Sequence, residues 1–264
     1  MKLDVVITFY KNNSLLEQTL QSLCNQTWQE FNIYLVCDGG CDILDLKHAY
    51  ANMKILKCDL HVGPYRLVNV VSQYFQSEYF AIQDADDISL NNRFAVSMHE
   101  CHQNNLDLFG CAIQNFDDTN ESNNSVLKPV SNLQINAYPL GKQSLLLPHP
   151  GIIFKKSFFE QLSGYTDVFC AADTEISSRF FWAGANIGST DEVLVHRRMH
   201  ANQLTRSDRT GRNSALRKNI ISTFQNVMQT YPQYKNNIQY LKQFGDMEKN
   251  RHEIKLYEYT NRTF

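Results

Sequence analysis

Residues 79–87 read YFAIQDADD, a mostly apolar run that ends in three aspartates, Asp84, Asp86 and Asp87. Like charges this close repel, and burying each one costs on the order of several kcal/mol unless something compensates. Along an extended chain alternate side chains point the same way, so Asp84 and Asp86 can address one point. One reading is an acidic turn bathed in solvent. The other is a hard divalent cation, Mn2+ or Mg2+, which takes oxygen ligands and often keeps waters while it grips a substrate phosphate. The D-x-D pattern alone does not separate the two, but its place behind a buried strand favours the cation.

Three further groups carry candidate chemistry. In VCDGG at 36–40, Asp38 follows an apolar run and could accept hydrogen bonds from a base or ribose, and the glycines allow close backbone approach; an ordinary Asp-Gly turn is the plain alternative. In AADTE at 171–175, Asp173 stands where a helix should begin, so it either caps that helix or serves as a general base. Glu175, about 200° further round the helix, competes for the second role. In HRRMH at 196–200, strand alternation sets His196, Arg198 and His200 on one face. One or both histidines could join Asp86 on a metal, and Arg197 and Arg198 are suited to neutralise a diphosphate. A polar edge strand in solvent is the plain reading of that segment. His149 and the other histidines suggest no chemistry.

The elements that must position these residues alternate. LDVVITF reads as a strand, SLLEQTLQSLCNQ as a helix with Ser14 and Glu17 forming a capping box, and FNIYLVCD as a second strand. MKILKC follows as a short strand, GPYRLVNVVSQYFQ as a helix and YFAIQD as the fourth strand. This order of short apolar strands and helices predicts an α/β fold with a mostly parallel central sheet flanked by helices. In such sheets ligands bind beyond the carboxyl ends of the strands. Thr8 and Tyr10, Asp38, and Asp84 to Asp87 all fall there, and that coincidence outweighs any single motif. Residues 117–136 shift to Asn, Ser and Asp and read as an irregular loop whose contacts would govern donor choice. HPGIIFKKSFFEQLSGY predicts a strand running into a short helix, DTEISSRFFWAG a helix, and DEVLVHRRMH a last strand. Beyond about residue 212 the chain becomes polar and helical, with breaks at Pro232 and Gly245. The expected division is a domain over 1–211 and a helical C-terminal extension over 212–264.

Bulk composition excludes several classes. A net charge of −2 leaves no basic footprint for nucleic acid, and no G-x-G-x-x-G or P-loop pattern occurs. No apolar run approaches the ~20 residues that span a bilayer, and MKLDVVITFY lacks the character of a leader peptide. Seven cysteines are scattered without a C-x-x-C pair, which suits a cytoplasmic protein and argues against structural disulfides or zinc. Cys37 and Cys111 then read as small buried hydrophobes.

Taken together, these residues resemble the inverting GT-A glycosyltransferases of family 2. The stretch from VVITFYKNN to LVCDGG is similar to the family's opening strand, helix and acid-tipped second strand, with Cys37 replacing one of two customary acids and Cys41 one residue past the usual serine. Gly63, Asn69 and the aspartates at 84–87 follow the family's G…RN…DxDD order. The customary arginine before Asn69 is Val68 here, and Arg66 is the available substitute. PHPGIIFKKSFFEQLSGYTDVFCAADTE is similar to its acceptor-side segment, with Ala172 in place of a glutamate before Asp173, and HRRMHANQLT to its closing histidine segment.

The resemblance spans about residues 3–206 and implies a Rossmann-like GT-A domain. A nucleotide-diphosphate sugar, most often UDP-linked, would be held by Thr8, Tyr10, Asp38, Arg66, Asn69, the Asp84-Ala85-Asp86 stretch and Arg198. Mn2+ or Mg2+ would sit on Asp86 with His200 or His196, and Asp173 would be the catalytic base. The acceptor would be a glycan or lipid-linked saccharide of bacterial capsule or lipopolysaccharide synthesis. The setting would be cytoplasmic, with peripheral membrane contact or a homodimer through the extension left open. The departures at Cys37, Val68 and Ala172 keep a non-catalytic sugar-nucleotide-binding scaffold as the alternative.

Overall fold

The computed structural model describes residues 2–10, 14–40, 52–118, 124–130, 147–200, 203, 205–230 and 232–259. Four strands form the N-terminal half of one sheet: β1 (Leu3–Phe9), β2 (Phe31–Asp38), β3 (Met53–Cys58) and β4 (Tyr79–Asp84). They run parallel in the order β3-β2-β1-β4. Apart from the half-buried Thr8 and Ile55, the β-branched and aromatic side chains of these strands are buried, as strands covered on both faces require. Between them lie α1 (Ser14–Cys24) and α2 (Pro64–Val71); Pro64 opens α2, where its missing N–H leaves nothing unpaired.

The second half extends the sheet less regularly. After β5 (Ile88–Ser89) and α3 (Arg93–Gln103) come β6 (Leu108–Phe116), β7 (Val126–Leu127), β8 (Ile153–Lys155), α4 (Lys156–Gln161), α5 (Ala172–Trp182) and β9 (Ile187–Arg198). Short β8 runs antiparallel between β4 and β6, whereas β9 runs parallel to β6. Most ladder pairing is therefore parallel, as expected, with antiparallel insertions that the hydrophobic pattern does not disclose. The described part of the 117–136 stretch includes β7, which pairs with β6; the remainder lies outside the described residues.

Each sheet face has its own apolar layer. Leu16, Leu20 and Leu23 of α1 and Phe94 and Met98 of α3 cover one face. On the other, Leu67, Val70 and Val71 of α2 pack with Phe80, Phe154, Phe159, Tyr165, Ile176 and Phe180.

The C-terminal segment contains α6 (Ala215–Thr230), α7 (Ile238–Leu241), α8 (Met247–Glu253) and, beyond the helices expected there, a strand, β10 (Tyr257–Glu258), on the free edge of β3. Leu241, Met247 and Ile254 enter the same core as α2. At about 1.5–3 kcal/mol for each fully buried side chain, this docking is a substantial part of the fold.

Asn69, expected at the donor, is instead the joint of that docking. It is fully buried: its Nδ2 donates to the Tyr165 carbonyl (2.9 Å) and to Asn250 Oδ1 (2.8 Å), while its Oδ1 accepts the Tyr165 N–H (2.8 Å). With its polar atoms engaged and no exposed surface, it has nothing left to offer a ligand. Gly164 sits against it with φ +65°, and a Cβ there would lie 2.3 Å from Asn69 Oδ1. Gly164→Ala is expected to cost about 1–3 kcal/mol in urea unfolding, combining left-handed strain with overpacking. A loss under about 0.5 kcal/mol, the range of ordinary surface changes, would show that the joint yields freely.

Candidate active site

The carboxyl ends of β1, β2 and β4 form one edge. Thr8 lies in register with Val36 on one side and Asp84 on the other, so the threonine and the first aspartate of the cluster are neighbours across the ladder. Asp38 ends β2 and is nearly inaccessible to solvent. Its carboxylate accepts the amides of Val62 (2.7 Å) and Gly63 (2.9 Å) and meets His61 Nδ1 at 3.0 Å. Burial pushes its pKa up, and these donors pull against that shift. Asp38 therefore shapes the turn leading into α2 rather than presenting a free carboxylate. Gly39 is required for that approach, because with φ +77° a Cβ would meet the His61 amide nitrogen at 2.8 Å. The exposed Tyr10 ring packs on His61, centroids 4.2 Å apart.

Cys37, expected as a free buried thiol, is disulfide-bonded, and its partner lies outside the described residues. Cys24, Cys58, Cys101, Cys111 and Cys170 are free.

The acidic cluster is compensated from several sides. Asp84 and Asp87 have pKa values raised first by burial and then by their acidic neighbours, Asp86 among them. Behind them the fully buried Arg93 donates to Gln83 Oε1 (2.7 Å), the Ser89 hydroxyl (2.9 Å) and the Ile82 carbonyl (2.8 Å), and the charges of Asp87 and Asp84 favour its protonated form. Asp87 accepts the Arg198 N–H through Oδ1 (2.9 Å), while its Oδ2 is buried without a partner. Asp86 reaches outward to His200, with Nε2 and Oδ2 2.7 Å apart. Ala85, between the aspartates, packs against the apolar layer of α1 and α3.

Two expectations about HRRMH need correction. Arg198 is 3% exposed, lies over the Phe116 ring and binds the Asp86 carbonyl (3.0 Å), Gln18 Oε1 (2.7 Å) and Asp118. It fixes the acidic turn and is not free to meet a diphosphate. Arg197 is the cation that faces the carboxylates: it donates to Asn115 Oδ1 (2.8 Å), and burial followed by the charge of Arg212 lowers its pKa while Asp87, Asp84 and Asp86 pull the other way. His196 lies opposite Ile88 and Gln114 with its ring toward Phe116, and burial alone lowers its pKa. It does not join Asp86; His200 does. Arg66, the substitute for the missing arginine, is engaged in a two-pronged ion pair with Asp167, which also binds Lys249 at 3.0 Å. That pairing braces α2 against the segment before α5 and takes Arg66 away from donor binding.

Asp173 is free for chemistry. The cap position of α5 is Ala171, in the left-handed conformation, and no side chain caps the helix. Asp173 Oδ1 is buried with no hydrogen-bond partner. Glu175 is excluded as its rival, because it forms a fully buried ion pair with Arg179 at 2.7 Å. The charge of Asp173 acts on Asp84, Tyr65 and Tyr165, so Asp173 and the acidic cluster share one electrostatic environment.

Sequence reasoning missed the aromatic group between them. His149 Nε2 lies 2.9 Å from the Tyr165 hydroxyl, and the Tyr65 ring is 6.0 Å from His149 and 5.2 Å from Tyr165. Both phenols have pKa values raised well above the ordinary range by burial and by Asp173, and a protonated His149 would favour ionised Asp84. No local pattern marks these residues, which come from three separate segments.

Among the described residues no set of three or more His, Cys, Asp or Glu side chains is arranged to hold a metal ion. The Asp86–His200 pair offers two ligands beside two carboxyls whose pKa values are raised first by burial and then by their acidic neighbours. These residues fit a divalent ion that keeps waters and takes its other oxygens from a diphosphate. Among the described residues no helix is long and apolar enough to cross a membrane.

Comparison with known proteins matches this architecture. The family model described as "Glycosyl transferase family 2" covers residues 4–163, more than half of the chain. The O-antigen biosynthesis glycosyltransferase WbnJ of Escherichia coli is 23% identical over 207 residues, 75% of this chain and 80% of WbnJ. The teichoic acid poly(glycerol phosphate) polymerase of Staphylococcus epidermidis is 26% identical over 121 residues, 44% of this chain and 16% of its own length. The structure of S. aureus TarS 1-349 in complex with UDP has a TM-score of 0.63 at 14% identity, covering 88% of this chain and 71% of that one. The complex with UDP-GlcNAc gives 0.62 at 16%, over 77% of this chain and 60% of that one. At these identities the structural likeness is one of fold. The family match rests on the sequence itself: the chain belongs to glycosyltransferase family 2.

Proposed function

We propose that this glycosyltransferase moves a sugar from a UDP-linked donor, with inversion and with help from Mn2+ or Mg2+, to a hydroxyl of a bacterial surface glycan. The observation that carries the reading is the unpartnered, buried Oδ1 of Asp173 in the same electrostatic environment as Asp84, beside the outward-facing Asp86–His200 pair. TarS has been solved with UDP and with UDP-GlcNAc, and WbnJ acts in O-antigen biosynthesis, which supports a sugar nucleotide as donor and a polysaccharide or lipid-linked saccharide as acceptor. The setting is the cytoplasm, against the inner membrane face.

Each residue has a role in this mechanism. Thr8, Tyr10 and the turn organised by Asp38 receive the nucleoside, and Asp84 faces the ribose. Asp173 accepts the proton of the acceptor hydroxyl at Oδ1 as that oxygen attacks the anomeric carbon. Tyr65, whose raised pKa keeps it protonated, serves as a hydrogen-bond donor nearby. Arg197 supplies positive charge on the side where the diphosphate leaves. A divalent ion held by Asp86 and His200 supplies Lewis-acid stabilisation of that leaving group when bound.

Calorimetry tests the donor side. UDP should bind in the presence of Mn2+ and lose at least about tenfold in affinity, ~1.4 kcal/mol, in Asp86→Ala and in His200→Ala. Metal-independent UDP affinity in the wild type would remove the ion from the mechanism, and no UDP binding at all would overturn the donor assignment.

A further inference from the structure

The segment from the end of β9 into the first turn of α6 carries charge for which the donor chemistry above has no use. Over residues 205–218 it holds Arg206, Arg209, Arg212, Arg217 and Lys218 against Asp208, within a chain whose net charge is −2. Arg217 is structural: it is nearly buried and donates through Nε to the Thr210 carbonyl (2.9 Å), tying the segment to α6. The turn is further closed by the Gly211 N–H on the Ser207 carbonyl (2.7 Å) and the Arg212 N–H on the Thr205 carbonyl (3.1 Å). Arg206, Arg209 and Arg212 are exposed, and none of the three guanidiniums has a hydrogen-bonded or carboxylate partner among the described residues.

Two contacts link this basic turn to the residues of the site. The guanidinium of Arg209 lies over the Phe169 ring, 4.9 Å from its centroid. Phe169 is 47% exposed and lies four residues ahead of Asp173 in the chain. Arg212 is near enough to Arg197 for its charge to disfavour protonation there, and Arg197 in turn faces Asp84, Asp86 and Asp87. A cationic rim thus surrounds an acidic floor. Arg212 adds its positive charge to that of Arg197, and a neutral acceptor would use neither. An acceptor bearing phosphate would be repelled by the floor unless a rim of this kind compensated. A guanidinium flat on an aromatic ring keeps its N–H groups directed outward, in the fork that matches phosphate oxygens, while the rest of the exposed ring offers an apolar surface to a sugar.

We propose that the acceptor is a phosphorylated saccharide, its phosphate gripped by Arg206, Arg209 and Arg212 and its sugar resting on Phe169 so that the hydroxyl reaches Asp173. The proposal rests on the glycosyltransferase reading of the floor and extends it to the acceptor's chemical class.

The test compares N-acetylglucosamine 1-phosphate with N-acetylglucosamine as binding probes, by calorimetry on the full chain saturated with UDP and Mn2+. The phosphate-bearing probe should bind at least tenfold more tightly, and that preference should shrink in 0.5 M NaCl, where exposed charges are screened beyond ~4 Å. It should disappear in the triple variant Arg206→Ala, Arg209→Ala, Arg212→Ala, whose UDP affinity stays within twofold of wild type. Equal binding of the two probes by the wild type overturns the proposal. A triple variant that loses UDP affinity in parallel also overturns it, since the rim would then serve the donor. A second arm replaces the sugars with vesicles of phosphatidylglycerol or phosphatidylcholine. Preference for the anionic vesicles without preference between the soluble probes would reassign the rim to membrane contact and overturn the acceptor class. A protein that prefers the sugar phosphate yet ignores UDP would uphold the rim and sink the donor reading, so the two ideas fail separately.

Discussion

Asp173→Asn is expected to lower the transfer rate by about 10^2–10^4-fold, the range general-base catalysis contributes, while UDP affinity and the thermal midpoint should stay close to wild type. Asn keeps the shape and removes only the ability to take a proton. Little stability should be lost, because Oδ1 has no hydrogen-bond partner to forfeit and the carboxylate caps no helix amide. The neighbouring carboxylate cannot substitute. Glu175 is locked to Arg179, whose remaining N–H groups hold the carbonyls of Leu162 and Gly164 (2.6 Å for the latter), so withdrawing Glu175 would dismantle the joint beside α5. Single-turnover measurements with donor in excess check this directly. A rate within threefold of wild type would mean that another group takes the proton, and the Tyr65–Tyr165–His149 group would be the place to look. A large fall in thermal midpoint would mean that Asp173 is structural.

Much of this arrangement was legible in the sequence, for reasons that separate the residues that were placed well from those that were not. Asp84, Asp86 and Thr8 were readable because strand ends in a parallel sheet converge, so burial pattern and position sufficed. Asp173 was readable as a choice between cap and base, and Ala171 at the cap position removes the first of these. What failed was partner choice across long sequence distances. Asn69 was expected at the donor from its place in the family's motif order, and only its contact with Asn250, 181 positions away, turns it into a structural joint. Strand alternation correctly grouped Arg198 with His200 near Asp86, yet it could not reveal that Gln18 and Asp118 would bury the Arg198 guanidinium. That burial leaves Arg197, on the opposite parity, as the cation facing the acids. His149 and Tyr165, brought to 2.9 Å by the β8–α4 connection, carry no local signature at all.

Arg93→Met should cost about 3–5 kcal/mol of stability in urea unfolding at neutral pH, the penalty for removing one side of a buried charge system. Three oxygens, Gln83 Oε1, the Ser89 hydroxyl and the Ile82 carbonyl, lose their guanidinium donor inside the core. Asp84 and Asp87 also lose a positive charge behind them. The second effect gives the prediction a pH signature. Both carboxyls already have folded-state pKa values above their unfolded ones, so the folded protein binds more protons than the unfolded chain above the ordinary carboxylate pKa of about 3.9. The stability associated with them therefore falls as pH rises through that window. Without Arg93 the values rise further, and the deficit of the variant should be greatest near neutrality and shrink at acid pH, where protonation relieves the repulsion. Arg93→Lys separates the two contributions: it retains charge but not the three-way fork, so it should recover the pH dependence more fully than the absolute stability. A deficit of equal size at both pH values would assign the loss to hydrogen bonding alone. A deficit under about 1 kcal/mol, the size of an average substitution, would mean that the acidic turn stands without Arg93, leaving a bound cation and Arg197 as its main compensation.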